Sequence, residues 1–279
     1  MDFVFEGHTP ITYITDCRDA NTVGRLKSRV STYFPNSNVI LVGVKDDVEA
    51  AINLVDMFDA FEGRPGIVLM NVARREGGDR KKKWPNGTPF GHVKIGNIDL
   101  FTTIDGYVLS MLEELLEIDI EVEIFDIPDT VPNMGLEEKV QERIINTQFR
   151  SFDYLPRLAG AIMCGAELTP TETFTDVPTM PKMVCWVDSF GNLKTNLQPE
   201  DIQFEEGKEV VIRTGGHKQF RLPCYYRLKD IPDGYVAFTI GSSGVKDKRF
   251  IEIMQQGESA ANALDLQTGD AIEFVEKVS

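Results

Sequence analysis

The chain has 279 residues, with 29 basic against 44 acidic side chains and a net charge of −15. That length gives one large domain or two modest ones, and a composition of 42% hydrophobic and 26% charged residues excludes a disordered chain. An isoelectric point near 4.7 argues against nucleic acid, whose phosphates call for a basic field, and against docking on anionic lipid.

The opening MDFVFEGHTP lacks the basic and apolar regions of a signal peptide. No apolar run approaches the ~18 residues needed to span a bilayer. Cys17, Cys164, Cys185 and Cys224 are scattered without CxxC spacing, which predicts reduced thiols and a cytoplasmic location. His8, His92 and His217 show no metal-ligand spacing, so no metal site is expected.

In chain order, Ile11–Ile14 is a β-rich run ending at Asp16. Asn21 is placed to cap a helix carrying Val23, Leu26, Val30 and Tyr33 until Pro35. Residues 39–44 form a continuous apolar run, as in a strand covered on both faces. Asp46 or Asp47 caps a second helix, and residues 67–70 give a third buried strand. This β-α-β-α-β rhythm predicts a mostly parallel sheet flanked by helices. Residues 71–92 read as a long loop. Strand and helix signals resume over 93–103, 107–116 and 121–125, and a further helix is expected over 152–164.

Residues 167–182 carry prolines and threonines with little periodicity and read as a linker. Beyond them, short strands separated by turn signals predict a smaller all-β, barrel-like domain. The organisation expected is an α/β domain over 1–166, the linker 167–182 and a β domain over 183–279.

Three segments carry candidate chemistry. Asp16 stands at the carboxyl end of the first strand, where α/β sheets bind ligands, and a carboxylate there accepts two hydrogen bonds from a ribose diol or caps the next turn. The run Asp188-Ser189-Phe190-Gly191-Asn192 offers an acid, an aromatic face and an amide able to pair with a base edge, or else forms a hairpin turn. The run Ile240-Gly241-Ser242-Ser243-Gly244 either exposes N–H groups to a carboxylate or is a flexible turn. The basic run at residues 80–83 reads as a solvated loop.

Together these segments resemble the S-adenosylmethionine (SAM) hydroxide adenosyltransferase family, which includes SAM-dependent fluorinases and chlorinases. Residues 188–196, DSFGNLKTN, are similar to its D-x-F-G-N-x-x-T-N, and 240–244 with 250–253 to its I-G-S-S-G-F-L-E-I. Ile14-Thr15-Asp16 resembles the family's opening T-D-F-G, and Leu266–Asp270 also fits the tail.

The resemblance implies SAM as substrate without a separate cofactor, held between subunits of a homotrimer. Asp16 would bind the ribose diol, with Asp19 or Asn21 as a second polar position. Phe190 and Asn192 would meet adenine, and Asp188, Ser242 and Ser243 the amino-acid group. The implied reaction is displacement of methionine at C5′ by water or another anion, as in a divergent hydrolase; a SAM- or adenosine-binding protein without turnover is the alternative. Family hydrolases handle water with an Asp–Arg–His set. Here Asn71 replaces the acid, Arg75 supplies the arginine (Arg74 or Arg80 being less favoured), and Phe149 stands at the histidine. The family's N-N-G or D-N-G is reduced to Asp105-Gly106, and residues 245–249 are an insertion.

Overall fold

The computed structural model describes residues 3–72, 84, 87–214 and 218–275. The amino-terminal half contains β1 (Ile11–Thr15), α1 (Ala20–Tyr33), β2 (Val39–Gly43), α2 (Asp47–Ala60), β3 (Gly66–Asn71), β4 (Phe90–Ile95), β5 (Ile98–Thr103) and α3 (Ser110–Leu116). β6 (Val122–Phe125), α4 (Glu138–Ile145), α5 (Leu155–Met163) and β7 (Glu172–Phe174) follow, with short helical turns at Ile127–Thr130, Val131–Met134 and Arg150–Asp153 between them. The sheet order is β2-β1-β3-β5-β4-β6-β7. β1, β2, β3 and β5 run parallel, while β4 and β7 pair antiparallel with their neighbours.

Two apolar layers cover the sheet. On one face Ala51, Leu54 and Val55 of α2 and Leu112 of α3 pack over Val68 and Leu100. On the other, Leu26 and Val30 of α1 and Leu158 of α5 pack over Tyr13, Leu69 and Phe101. Successive helices thus leave β1 and β2 toward opposite faces.

Several expectations need correction. The apolar run at 39–44 forms an edge strand whose two faces are only partly covered, Val42 packing on one side and Val39 and Leu41 on the other, with Ile40 half exposed. A run of apolar residues reports hydrophobicity but not how many strand neighbours surround it. α1 starts before Asn21, because the Asp19 carboxylate accepts from the Thr22 N–H at 3.0 Å and is the cap. β4 begins at Phe90, inside the stretch read as a loop. Within residues 167–182, Glu172–Phe174 adds an edge strand to the amino-terminal sheet.

The carboxyl-terminal half contains β8 (Val184–Val187), β9 (Leu193–Thr195), β10 (Glu209–Thr214), β11 (Gln219–Tyr225), β12 (Val236–Val245), β13 (Lys248–Gln255), α6 (Ala260–Leu264) and β14 (Ile272–Phe274). Its order is β14-β10-β11-β12-β13-β9-β8. The two ends of this sheet approach each other. The Val184 N–H donates to the Asp270 carbonyl at 2.9 Å, the Gly269 N–H to Val184 at 2.8 Å, and the Ile272 N–H to Lys182 at 2.8 Å. These bonds nearly close a barrel around Leu193, Ile212, Phe238 and Ile253, as the short-strand pattern predicts. Among the described residues, no helix is long and apolar enough to cross a membrane.

Candidate functional site

The parallel strands end at a common carboxyl edge. β1 lies between β2 and β3, and the helices that follow β1 and β2 cover opposite faces, so the chain direction switches there; open α/β sheets bind ligands at such a point. Asp16 and Asn71 meet at it, the Asp16 N–H donating to the Asn71 carbonyl at 3.3 Å. The Cys17 thiol donates to Asp16 Oδ1 at 3.4 Å. Next along the edge, Thr103 Oγ1 donates to the Val72 carbonyl at 2.7 Å and accepts its N–H at 3.3 Å.

Further acids crowd this edge. Asp46 caps α2, accepting from the Glu49 N–H at 3.0 Å. Asp47 Oδ2 accepts the Tyr107 N–H at 2.9 Å. A Cβ on Gly106 would lie 2.1 Å from that oxygen, so the Asp105-Gly106 turn is shaped by the carboxylate it receives. Asp19 is committed to its cap, which holds its carboxyl below the usual range through the Thr22 bonds. Asn21 lies exposed on α1.

Arg75, with Arg74 and Arg80, lies outside the described residues. Phe149 stacks on Phe152 with centroids 5.4 Å apart, and the Arg25 guanidinium of α1 sits 4.8 Å from the Phe149 ring. It is therefore packed against α1. His92 bonds Asp99 at 3.0 Å and stacks on Phe101; Asp99 stands at the amino-terminal end of β5, so the imidazole is tied toward the opposite edge. Arg150, which the motifs did not flag, reaches the carboxyl edge instead: its Nη1 donates to the Thr88 carbonyl at 2.7 Å.

In the carboxyl-terminal domain, Asp188 organises a tight turn. Its Oδ1 accepts the N–H groups of Phe190 (2.9 Å) and Asn192 (3.0 Å), and its Oδ2 accepts Asn192 Nδ2 at 2.9 Å. Gly191 adopts φ +83°, and a Cβ there would lie 2.1 Å from Ser259 Oγ. Phe190 is left 79% exposed, the highest exposure among the described large apolar side chains.

The serine turn is a break in the β12–β13 ladder between Ile240 and Gly244. Beneath it Glu252 Oε1 accepts the Ser242 N–H at 3.1 Å and Lys194 Nζ at 2.6 Å. Gly241 is required here, since its Cβ would lie 2.2 Å from the same oxygen. Ser243 Oγ donates to Asp56 Oδ2 at 3.0 Å, and the Gly244 N–H to Asp56 Oδ1 at 2.9 Å. Burial pushes the Asp56 carboxyl up. Ser242 faces solvent while Ser243 is buried at 4% exposure. The chain's own carboxylates thus hold two of the N–H groups that the sequence offers to a bound carboxylate.

Residues 245–249 extend the β12–β13 hairpin and tie the domains together. The Lys246 N–H and Arg249 Nη1 each donate to Asp59 at 2.8 Å, and Lys248 Nζ reaches the Leu115 carbonyl (2.9 Å) and Glu117 (2.6 Å). Asp56 lies nine residues into α2, about 13 Å from its start at the carboxyl edge. The serine turn docks there, displaced along α2 from the carboxyl edge.

The family model described as SAM hydroxide adenosyltransferase C-terminal domain matches residues 182–273. This domain belongs to that family. The match contains the Asp188 turn, the serine turn and the strands that close the barrel of this SAM hydroxide adenosyltransferase domain. An uncharacterized conserved protein from Thermotoga maritima shares the fold with TM-score 0.69 and 19% identity, covering 95% of this chain and 100% of its own. A conserved hypothetical protein from Thermus thermophilus does so with TM-score 0.57 and 17% identity, covering 96% and 100%. No curated protein sequence matches the chain.

Proposed function

We propose that the protein is a divergent SAM hydrolase, displacing methionine from C5′ of SAM by water or another small anion. SAM is the substrate, no resident cofactor takes part, and the active species is a cytoplasmic homotrimer. Support comes above all from the 188–192 turn, where a family-matched segment holds an exposed aromatic ring beside a side-chain amide. Phe190 stacks on adenine, and Asn192 pairs with its edge through Oδ1 and the second Nδ2 hydrogen. Asp188 and Ser242 receive the amino-acid end, Ser243 supports the turn from below, and Asp16 takes the ribose diol, with Asp19 and Asn21 at its margin. Because the serine turn docks away from the carboxyl edge, neighbouring subunits supply the two halves of each site.

The sulfonium is already an activated leaving group. Catalysis then consists of alignment: a nucleophile held in line with the C5′–S bond and stripped of competing water. Asn71 can orient water but takes no proton from it. Arg75 stays protonated at physiological pH and is likewise a poor base. Hydrolysis is therefore slow, and anions compete with water.

Incubating the full chain with SAM and following adenosine and methionine tests the assignment. Stoichiometric release of both supports it. Binding of SAM or adenosine with no product would replace it with a binding protein.

A further inference from the structure

One row of side chains across the barrel wall joins the serine turn to the Asp188 turn. Thr239 of β12 pairs with Glu252 of β13, Glu252 with Lys194 of β9, and Lys194 with Trp186 of β8, two residues before Asp188. Their chain neighbours Phe238, Ile251, Ile253 and Leu193 fill the barrel core, so the row lies on its outer face. Thr239, Glu252 and Lys194 are nevertheless buried, and α2 packs against β12 here.

Most donors of this surface are already committed to the chain's own carboxylates. The Gly244 N–H and the Ser243 hydroxyl both go to Asp56, filling the bidentate place that a ligand carboxylate would take. The Ser242 N–H goes to Glu252 Oε1, which also takes Lys194 Nζ. Arg249 Nη1 donates to Asp59 and to the Ser242 and Gly244 carbonyls, the last two at 3.1 Å. The Lys194 charge is shared further, with the Trp186 ring 5.9 Å from its Nζ and with the Asp56 carboxyl. Lys248 is paired with Glu117, and Lys246 stands exposed in the hairpin turn.

Acceptors, by contrast, are left over. Glu252 Oε2 and Thr239 Oγ1, on directly paired residues, are buried with no hydrogen-bond partner among the described residues. Asp188 accepts three N–H groups of the about four that a carboxylate can take, which leaves one position on Oδ2. The charges point the same way. Glu252 is paired with Lys194 and Asp59 with Arg249, whereas Asp56 has hydrogen bonds but no ion pair among the described residues. A negative charge is therefore in excess beside the serine turn.

We propose that this surface recognises the ammonium of the ligand's tail and not its carboxylate. The inference rests on the reading of the two turns as the place of SAM's amino-acid end, and it widens the substrate class to adenosyl sulfoniums whose arm carries an amine alone. An ammonium brings three donors and a positive charge to a surface rich in acceptors and negative charge. A carboxylate brings only acceptors, and its place on Ser243 and Gly244 is held by Asp56. The carboxylate of SAM accordingly stays in water.

The experiment titrates the full chain calorimetrically with adenosine, SAM, decarboxylated SAM and the deaminated analogue that keeps the carboxylate. Decarboxylated SAM should bind at least as tightly as SAM, and the deaminated analogue on the order of tenfold more weakly than either. Asp56→Asn removes the excess charge and should shift the ratio of the two affinities toward SAM by roughly threefold or more. Decarboxylated SAM binding about tenfold more weakly than SAM, a deaminated analogue as tight as SAM, or a ratio indifferent to Asp56→Asn would each overturn the proposal while adenosine binding leaves the site standing. If none of the four binds, the site itself is removed and this inference with it.

Discussion

The Ser243 hydroxyl, in the carboxyl-terminal domain, donates to the Asp56 carboxylate of α2 in the amino-terminal domain, 187 residues earlier. The same carboxylate takes the Gly244 N–H. Replacing Asp56 by Ala leaves both donors buried without an acceptor, and the loss should be about 2–3 kcal/mol in urea unfolding. Asp56→Asn, which keeps one acceptor, should lose less.

The two acids of α2 that meet the carboxyl-terminal domain respond oppositely to pH. Burial raises Asp56 above its ordinary value of 3.8, against the pull of Gly244 and Ser243. The folded protein therefore keeps that proton longer than the unfolded chain, and the Asp56 contribution declines as pH rises through this window. For Asp59 burial also pushes upward, but the Arg249 guanidinium and the Lys246 N–H outweigh it and hold the carboxyl low. Its contribution is present above the unfolded value and fades as pH falls through the folded one. Urea midpoints between about pH 3 and 6 should rise more steeply with pH in Asp56→Asn than in wild type, and less steeply in Asp59→Asn.

Lys194 and Glu252 form a buried ion pair at 2.6 Å, 8% and 0% exposed, and Glu252 Oε2 has no partner among the described residues. Lys194→Met strands a buried carboxylate and should cost about 3–5 kcal/mol. Adding Glu252→Gln removes the charge and should recover a large part of that loss in chemical denaturation.

Phe190 contributes nothing to a core at 79% exposure. Phe190→Ala should change unfolding free energy by no more than about 0.5 kcal/mol yet weaken adenosine binding by about 1–3 kcal/mol. Paired calorimetric titration and denaturation read both; unchanged affinity would take Phe190 out of the site.

Sedimentation equilibrium at micromolar concentration should give three times the 31.3 kDa chain mass. A monomer that binds SAM would show that one chain completes the site.

The alternating strands and helices of the first 70 residues are readable from sequence because they depend on local periodicity, and the cap of α2 is narrowed by sequence to Asp46 or Asp47, of which Asp46 is the one that accepts the Glu49 N–H. What periodicity does not carry is neighbour number, hence the unexpected edge position of β2. Nor does it separate competing caps, hence Asn21 for Asp19. The Asp188 turn is legible because all its ligands lie within five residues. Asp56 is invisible in the sequence: it is one acid among many on an amphipathic helix, and its partner is on another domain. Arg150 escapes motif reading because its partner at the edge, the Thr88 carbonyl, lies 62 residues earlier in the chain.

The strap at residues 245–249 also bears on how the chain acquires its structure. α2 buries Ala51 and Val55 in the first domain, but Asp56 and Asp59 wait for donors some 187–190 residues away. At about 5–20 residues per second, a ribosome needs on the order of ten to forty seconds to deliver them. During that interval the nascent first domain carries a desolvation-prone acidic helix face with no cap over it. Docking of the second domain is then a late, long-range event in folding, of the kind that high contact order slows.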